Sequence, residues 1–251
     1  MSLRRIDRGR GHVYLDEHGD RYDGVTSAIS NGVPKPALID WAARTTAGYA
    51  VDNWDELAAM PISERLEVLK KARWNVTREA AVRGTQVHDL ALRLAAGADV
   101  DVPEPLVGHV DAYLRFVDEW QPRERLVETV VGHHVHRYGG TLDLVARLAD
   151  GQVWLLDWKT SASGIWPENA LQLAAYRFAE FYVDDHGAEK PMVDVDAVGC
   201  VWLRADGYDL VPVEADAGAF RTFLYAQQVA SFVQQPRDAT VGAALVPAGI
   251  L

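Results

Sequence analysis

The chain has 251 residues, 36 acidic against 25 basic, a formal net charge of −11 and 49 % hydrophobic residues. That balance excludes a disordered or fibrous protein, and one that coats nucleic acid through overall positive charge. The lone Cys200 excludes an internal disulfide, a four-cysteine zinc site and a cysteine-ligated iron–sulfur cluster.

A single cysteine fits a reducing, cytoplasmic compartment. No apolar run follows Arg4 and Arg5, so no secretory leader is expected, and no stretch approaches the ~18 apolar residues of a membrane span. The length suits one α/β domain: a hairpin and helical elaboration over 1–75, a core over 76–235, and a loose tail over 236–251.

In chain order, His12–Tyr22 alternates around Gly19 and predicts a small hairpin. Thr26 and Ser27 are candidate caps, and Pro34 and Pro36 precede a helix over 37–50. Residues 62–94 are strongly helical, with breaks expected at Trp74–Asn75 and at Gly84. After Pro103 and Pro105 a helix over 106–120 places Val110, Leu114 and Val117 on one face. Valine-rich 126–135 reads as a strand, and Gly139-Gly140 as a turn. The alternating run 141–148 and the run 153–158, joined at Asp150-Gly151, complete a three-stranded meander. A helix over 169–184, strands over 195–203 and 208–213, and a helix over 216–234 follow. The order implies one mixed sheet flanked by helices.

Chemistry concentrates in Gly140-Thr141-Leu142-Asp143 and Leu155-Leu156-Asp157-Trp158-Lys159. On a strand Asp157 and Lys159 share a face, with Trp158 opposite. An antiparallel neighbour joined at Asp150-Gly151 brings Asp143 beside Asp157. Two carboxylates so placed repel unless a cation lies between them, and Mg²⁺ prefers a few oxygen ligands plus water. The lysine would then position a water or steady charge growing on a phosphate. A surface Asp–Lys ion pair is the plain alternative, but Leu155 and Leu156 place these charges at the end of a buried strand.

This array resembles the PD-(D/E)XK nuclease superfamily, in particular its RecB-type and phage exonuclease branch. Three further features carry the resemblance: Gly84-Thr85-Gln86-Val87-His88, similar to the G-x-x-x-H segment; Gln172-Leu173-Ala174-Ala175-Tyr176, similar to Q-x-x-x-Y; and the order His, G-x-x-D, D-x-K, Q-x-x-x-Y, with a looser likeness over 22–29. The likeness is closest over 80–180. It implies an α/β restriction-endonuclease-like core with a helical N-terminal region. It implies His88, Asp143, Asp157 and the backbone carbonyl of Trp158 as ligands of Mg²⁺ or Mn²⁺, and Lys159 as the catalytic lysine. Gln172 and Tyr176, one helical turn apart, would contact phosphate or hold Lys159. Their alternative is an ordinary amphipathic helix, and that of His88 a helix-surface histidine.

Glu128 stands where relatives often carry an acid, with a surface role as its alternative. His133-His134-Val135-His136 invites a zinc reading, but no third ligand accompanies the two histidines that would share a strand face. No G-x-x-x-x-G-K-[ST] is present, so the motor-bearing form is excluded, and Leu142 replaces the proline of the superfamily's name. The implied activity is a metal-dependent DNA exonuclease of recombination or repair, phage-encoded in many relatives. A non-catalytic DNA- or partner-binding relative and an endonuclease of the same fold are the alternatives.

Phosphate contact needs local rather than global charge. Residues 69–94 carry six basic against two acidic side chains, a net +4 leading into His88, and Arg4, Arg5, Arg8 and Arg10 form a second cluster. Arg78 and Arg83 are the candidates for holding the DNA backbone. The implied partners are DNA and a recombination protein of the single-strand annealing kind. No membrane partner is expected, and an oligomer is compatible because some relatives close into rings.

Overall fold

A computed structural model describes residues 2–9, 11–95 and 97–245. The side chains at 76–81, 83, 91, 92, 95, 124 and 125 also lie outside the described set, so the expected phosphate contacts of Arg78 and Arg83 fall outside it.

The chain opens with β1 (Arg4–Arg8), β2 (Gly11–Leu15) and β3 (Arg21–Gly24), an antiparallel run in which Tyr14 faces Tyr22. The hairpin of β2 and β3 was expected. β1 was not, because the exposed run Arg-Arg-Ile-Asp-Arg shows no hydrophobic alternation. α1 (Val25–Gly32) follows with Gly24 at its N-cap, so Thr26 and Ser27 lie inside the helix and do not cap it. α2 (Pro36–Asp52) starts on Pro36, whose fixed φ and missing N–H suit a first helical position, and α3 (Trp54–Ala59) leads to α4 (Ile62–Ala95).

α4 runs unbroken for 34 residues, roughly 51 Å at 1.5 Å per residue. The expected breaks are absent. Gly84 serves contact instead: a Cβ there would stand 3.1 Å from Thr160 Oγ1, so the glycine lets α4 approach the end of the central strand.

α5 (Val107–Trp120) buries His109, Val110, Ala112, Tyr113 and Phe116, while Leu114 is exposed. β4 (Arg123–His133), β5 (Tyr138–Arg147) and β6 (Val153–Lys159) form the meander. The β4–β5 turn is at 134–137, where Arg137 has φ 50°, and Gly139-Gly140 lie within β5. The two glycines are needed for packing: a Cβ on Gly140 would come within 2.4 Å of Tyr176 Cε1, and one on Gly139 within 2.8 Å of Leu3.

α6 (Glu168–Arg177) ends well before residue 184. The remainder forms the hairpin β7 (Phe181–Val183) and β8 (Glu189–Pro191), with β7 paired to β4. The aromatic and β-branched run Phe-Tyr-Val suits a strand, and Gly132 on β4 makes room for Phe181, whose Cζ a Cβ would approach to 2.6 Å. β9 (Ala197–Arg204), β10 (Gly207–Pro212) and α7 (Ala217–Val233) complete the fold; Asp216 caps α7 by accepting the Ala219 N–H.

Among the described residues ten strands form one mixed, curled sheet. β5 is its hub, antiparallel to β4 along one edge. The other edge is shared: β3 runs parallel to Tyr138 and Gly139, and β6 antiparallel to 144–147. β6 continues parallel to β9, which pairs with β10. α1, α6 and α7 cover one face through Val25, Leu142, Val145, Leu155, Leu173 and Phe223. α4 and α5 cover the other through Val87, Phe116, Leu144, Ala146, Leu156 and Val201. The class is therefore α/β, a mixed sheet flanked by helices. Among the described residues no helix is long and apolar enough to cross a membrane.

Candidate metal and phosphate site

Shared use of one β5 edge leaves 140–143 between β3 and β6 without a strand partner there. The β5–β6 ladder ends at Leu144–Leu156, while β6 runs on against β9 to Lys159. Asp143 and Asp157 stand at the mouth of this fork, and the Asp143 carboxylate accepts the Trp158 backbone N–H at 2.9 Å across it.

A second irregularity coincides with the fork. Leu142 and Leu144, two residues apart, face opposite sides of the sheet, and so the strand alternation slips at Asp143. On β4, Glu128 occupies the matching place: the register pairs Val127 with Leu144 and Thr129 with Leu142, and Glu128 has φ 48°. A left-handed glutamate inside a strand is strained and persists only where its surroundings hold it. Here the kink turns Glu128 toward α4, where its Oε1 lies 3.1 Å from His88 Nδ1.

The result is a cluster. His88, Glu128 and Asp143 each offer one ligand atom, and these atoms lie within 4.8 Å of one another. His88 Nε2 is buried with no hydrogen-bond partner among the described residues. Burial, with the Asp157 carboxylate adding to it, holds Asp143 well above the usual carboxylate range, and the Trp158 N–H offsets this only in part. Burial likewise raises Glu128. A buried imidazole with a nitrogen to spare, beside two carboxylates that burial holds above their usual range, is a donor set a divalent cation would satisfy, so these residues fit Mg²⁺ or Mn²⁺.

Asp157, 3 % exposed, is oriented from two sides. Lys159 forms an ion pair with one of its oxygens, and Gln172 Nε2 donates to Oδ1 at 2.8 Å. The same Gln172 nitrogen lies 3.4 Å from Tyr176 Oη. Tyr176 is fully buried over Gly140, and burial pushes its phenol well above the ordinary tyrosine range. Burial works against the Lys159 ammonium, but Asp157 and Asp143 outweigh it and leave the lysine raised, so it is protonated at neutral pH.

Trp158 turns to the opposite face, its ring centroid 4.9 Å from that of Tyr113 and 5.3 Å from that of Phe116, which fixes the strand between the two cores. Cys200, beside Asp157 in the β6–β9 register, is buried with its thiol pushed up to about 12, so it is no nucleophile.

His88 and Asp143 thus meet Glu128 rather than Asp157, whose carboxylate is engaged by Lys159 and Gln172. Glu128, for which the sequence leaves a surface role equally open, completes this group; its signal is its place on the first strand, where relatives of the resembled family often carry an acid. His134 and His136 lie in the β4–β5 turn and not on one strand face. His134 is held by Tyr22 and by Glu189, and His133 by Glu180; among the described residues the histidine run gathers no metal-sized group. Neither the protein-family models nor the curated proteins compared with this chain match it.

Proposed function

We propose that this chain is a divalent-metal-dependent deoxyribonuclease with a restriction-endonuclease-like core of the PD-(D/E)XK type, acting as an exonuclease in DNA recombination or repair. The observation that carries the reading is the convergence of His88, Glu128 and Asp143, with the buried unpartnered His88 Nε2, on the fork that also holds the Asp157–Lys159 pair.

His88, Glu128 and Asp143 would hold Mg²⁺ or Mn²⁺, with Asp157 and the Trp158 carbonyl alongside, as the resemblance implies. Such a cation, when bound, polarises a phosphodiester and makes a water acidic enough to attack it. Lys159 keeps its proton and presents N–H donors where charge grows on the phosphate, and the same donors can orient the attacking water. Gln172 fixes the Asp157 carboxylate through its own contact with Tyr176, so the carboxylate and the lysine keep one geometry. Hydrolysis of this kind needs no covalent intermediate on the chain. DNA as partner, backbone contact by Arg78 and Arg83, a single-strand annealing partner and a cytoplasmic setting belong to the same proposal.

The test is degradation of end-labelled linear DNA and of closed circular DNA with and without Mg²⁺ or Mn²⁺. Linear DNA should be lost only with metal, and Lys159→Ala or Asp157→Ala should slow this by ~100-fold or more with the circular dichroism spectrum unchanged. Absence of metal-dependent loss of either substrate defeats the reading. Cutting of closed circles shifts it to an endonuclease.

A further inference from the structure

A cavity of about 240 Å³ adjoins Lys159 on the α1 and α6 side of the sheet, walled by α1, the start of α6 and the loop 160–167. It is just under the ~300–1,000 Å³ of pockets that enclose drug-sized ligands, so it has room for about one nucleotide unit.

Among the described residues, both cations on its wall are already matched. Lys35 Nζ lies 3.1 Å from Glu168 Oε1, each side chain less than a third exposed, and Lys159 is paired with Asp157. The rest of the wall is neutral, with the hydroxyls of Ser30 and Ser161 and the indole of Trp166. That indole is 48 % exposed, yet it is not loose. The Trp166 backbone N–H donates to Asn169 Oδ1 at 2.8 Å and its Nε1 to Ser163 Oγ at 3.1 Å. Trp202 Nε1 anchors the same loop by donating to the Ser161 carbonyl at 2.8 Å. A rigid indole kept open to solvent is a surface on which an unpaired base stacks.

We propose that this cavity receives the nucleoside of an unpaired DNA strand end, its base against Trp166 and its sugar among the hydroxyls, so that the adjoining phosphate lies at Lys159. A bare terminal phosphate suits the cavity less well, since it would meet the Glu168 carboxylate and, among the described residues, find no unmatched cation. The consequence for cleavage, a preference for frayed or single-stranded ends, rests on the nuclease reading. The binding itself does not.

The full chain without metal is titrated with deoxyadenosine, deoxyadenosine 5′-monophosphate and inorganic phosphate, with binding followed by saturation-transfer NMR. Both adenine compounds should bind and displace each other, and inorganic phosphate should displace neither. Trp166→Ala, which removes an exposed ring, and Ser30→Phe, which fills the cavity from α1 with Trp166 in place, should each weaken binding at least ~5-fold. Displacement by phosphate alone, no nucleoside binding, or binding undiminished in both variants overturns the proposal. Nucleoside binding without metal-dependent DNA cleavage would defeat the nuclease reading and leave the cavity assignment standing; cleavage without nucleoside binding would do the reverse.

Discussion

Two groups of histidine and carboxylate lie along the β4–β5 pair, one at its turn and one midway along where His88 of α4 meets it, and they use their bonding capacity differently. At the turn, His134 Nδ1 meets Tyr22 Oη at 2.9 Å and its Nε2 meets Glu189 Oε2 at 3.0 Å. Glu180 accepts the His134 backbone N–H and lies against His133, and Glu189 accepts the Leu3 N–H. These bonds stitch the N-terminal strands to the β7–β8 hairpin. Midway along, His88 Nε2 is left over, Asp143 is short of counter-charge, and Glu128 is held in a conformation that strands avoid. What separates a structural cluster from a ligand-binding one is the capacity that remains after the protein has bonded to itself.

The largest expected effect tests this contrast directly. Asp143→Ala should weaken Mn²⁺ binding by ~100-fold or more, since even partners behind a ligand are worth 10–100-fold, whereas His134→Ala should leave it unchanged. Calorimetric titration of both variants checks this, and equal losses would erase the distinction. Next comes packing behind the midway cluster. Gly140→Ala places a Cβ 2.4 Å from Tyr176 Cε1, an overpacking expected to cost ~1–3 kcal/mol. Thermal unfolding should show it as a Tm drop of ~2–4 °C per kcal/mol. Glu128→Gly sharpens the contrast through opposite signs: relief of the left-handed φ should raise stability by up to ~1 kcal/mol, while Mn²⁺ affinity falls. A fall in stability with Mn²⁺ affinity unchanged would show that the kink serves packing and not the ligand.

The smallest effect belongs to the turn. Burial holds the His133 imidazole below the ordinary histidine value; Glu180 opposes the shift, and His136 and His134 add to it. The folded protein therefore binds this proton less readily than the unfolded chain. The His133 contribution to stability is complete above the ordinary value of ~6.5 and is lost as pH falls through and below it. His133→Gln should flatten that part of the Tm–pH curve below ~6.5, and an unchanged slope would remove His133 as its source.

The candidate site was legible as an order along the chain: His88, then Asp143, then Asp157 and Lys159, then Gln172 and Tyr176. Period-2 alternation and the Asp150-Gly151 turn predict the β5–β6 hairpin, which forms, although its ladder stops at Leu144–Leu156, short of Asp143; the i, i+4 spacing was enough to put Gln172 and Tyr176 on one helix face. Less legible were features whose cause lies elsewhere in the fold. Gly139-Gly140 has the composition of a turn, but the rings of Tyr14 and Tyr176 need the space that two missing Cβ atoms leave inside a strand. The helix expected to reach residue 184 stops at Arg177 because β4 offers an edge to Phe181 and Tyr182. α4 passes Gly84 unbroken because the β6 end packs against it there.

By itself the sequence determined the α/β class, the β5–β6 hairpin that carries two carboxylates, and the lysine two residues beyond the second, because those follow from local periodicity and turn chemistry. Only the tertiary structure decided which groups complete the cluster. The left-handed turn of Glu128 toward His88, the unspent His88 Nε2 and the cavity under Trp166 arise where β5 gives one edge to two strands, and the position of that fork depends on contacts between residues far apart in the chain.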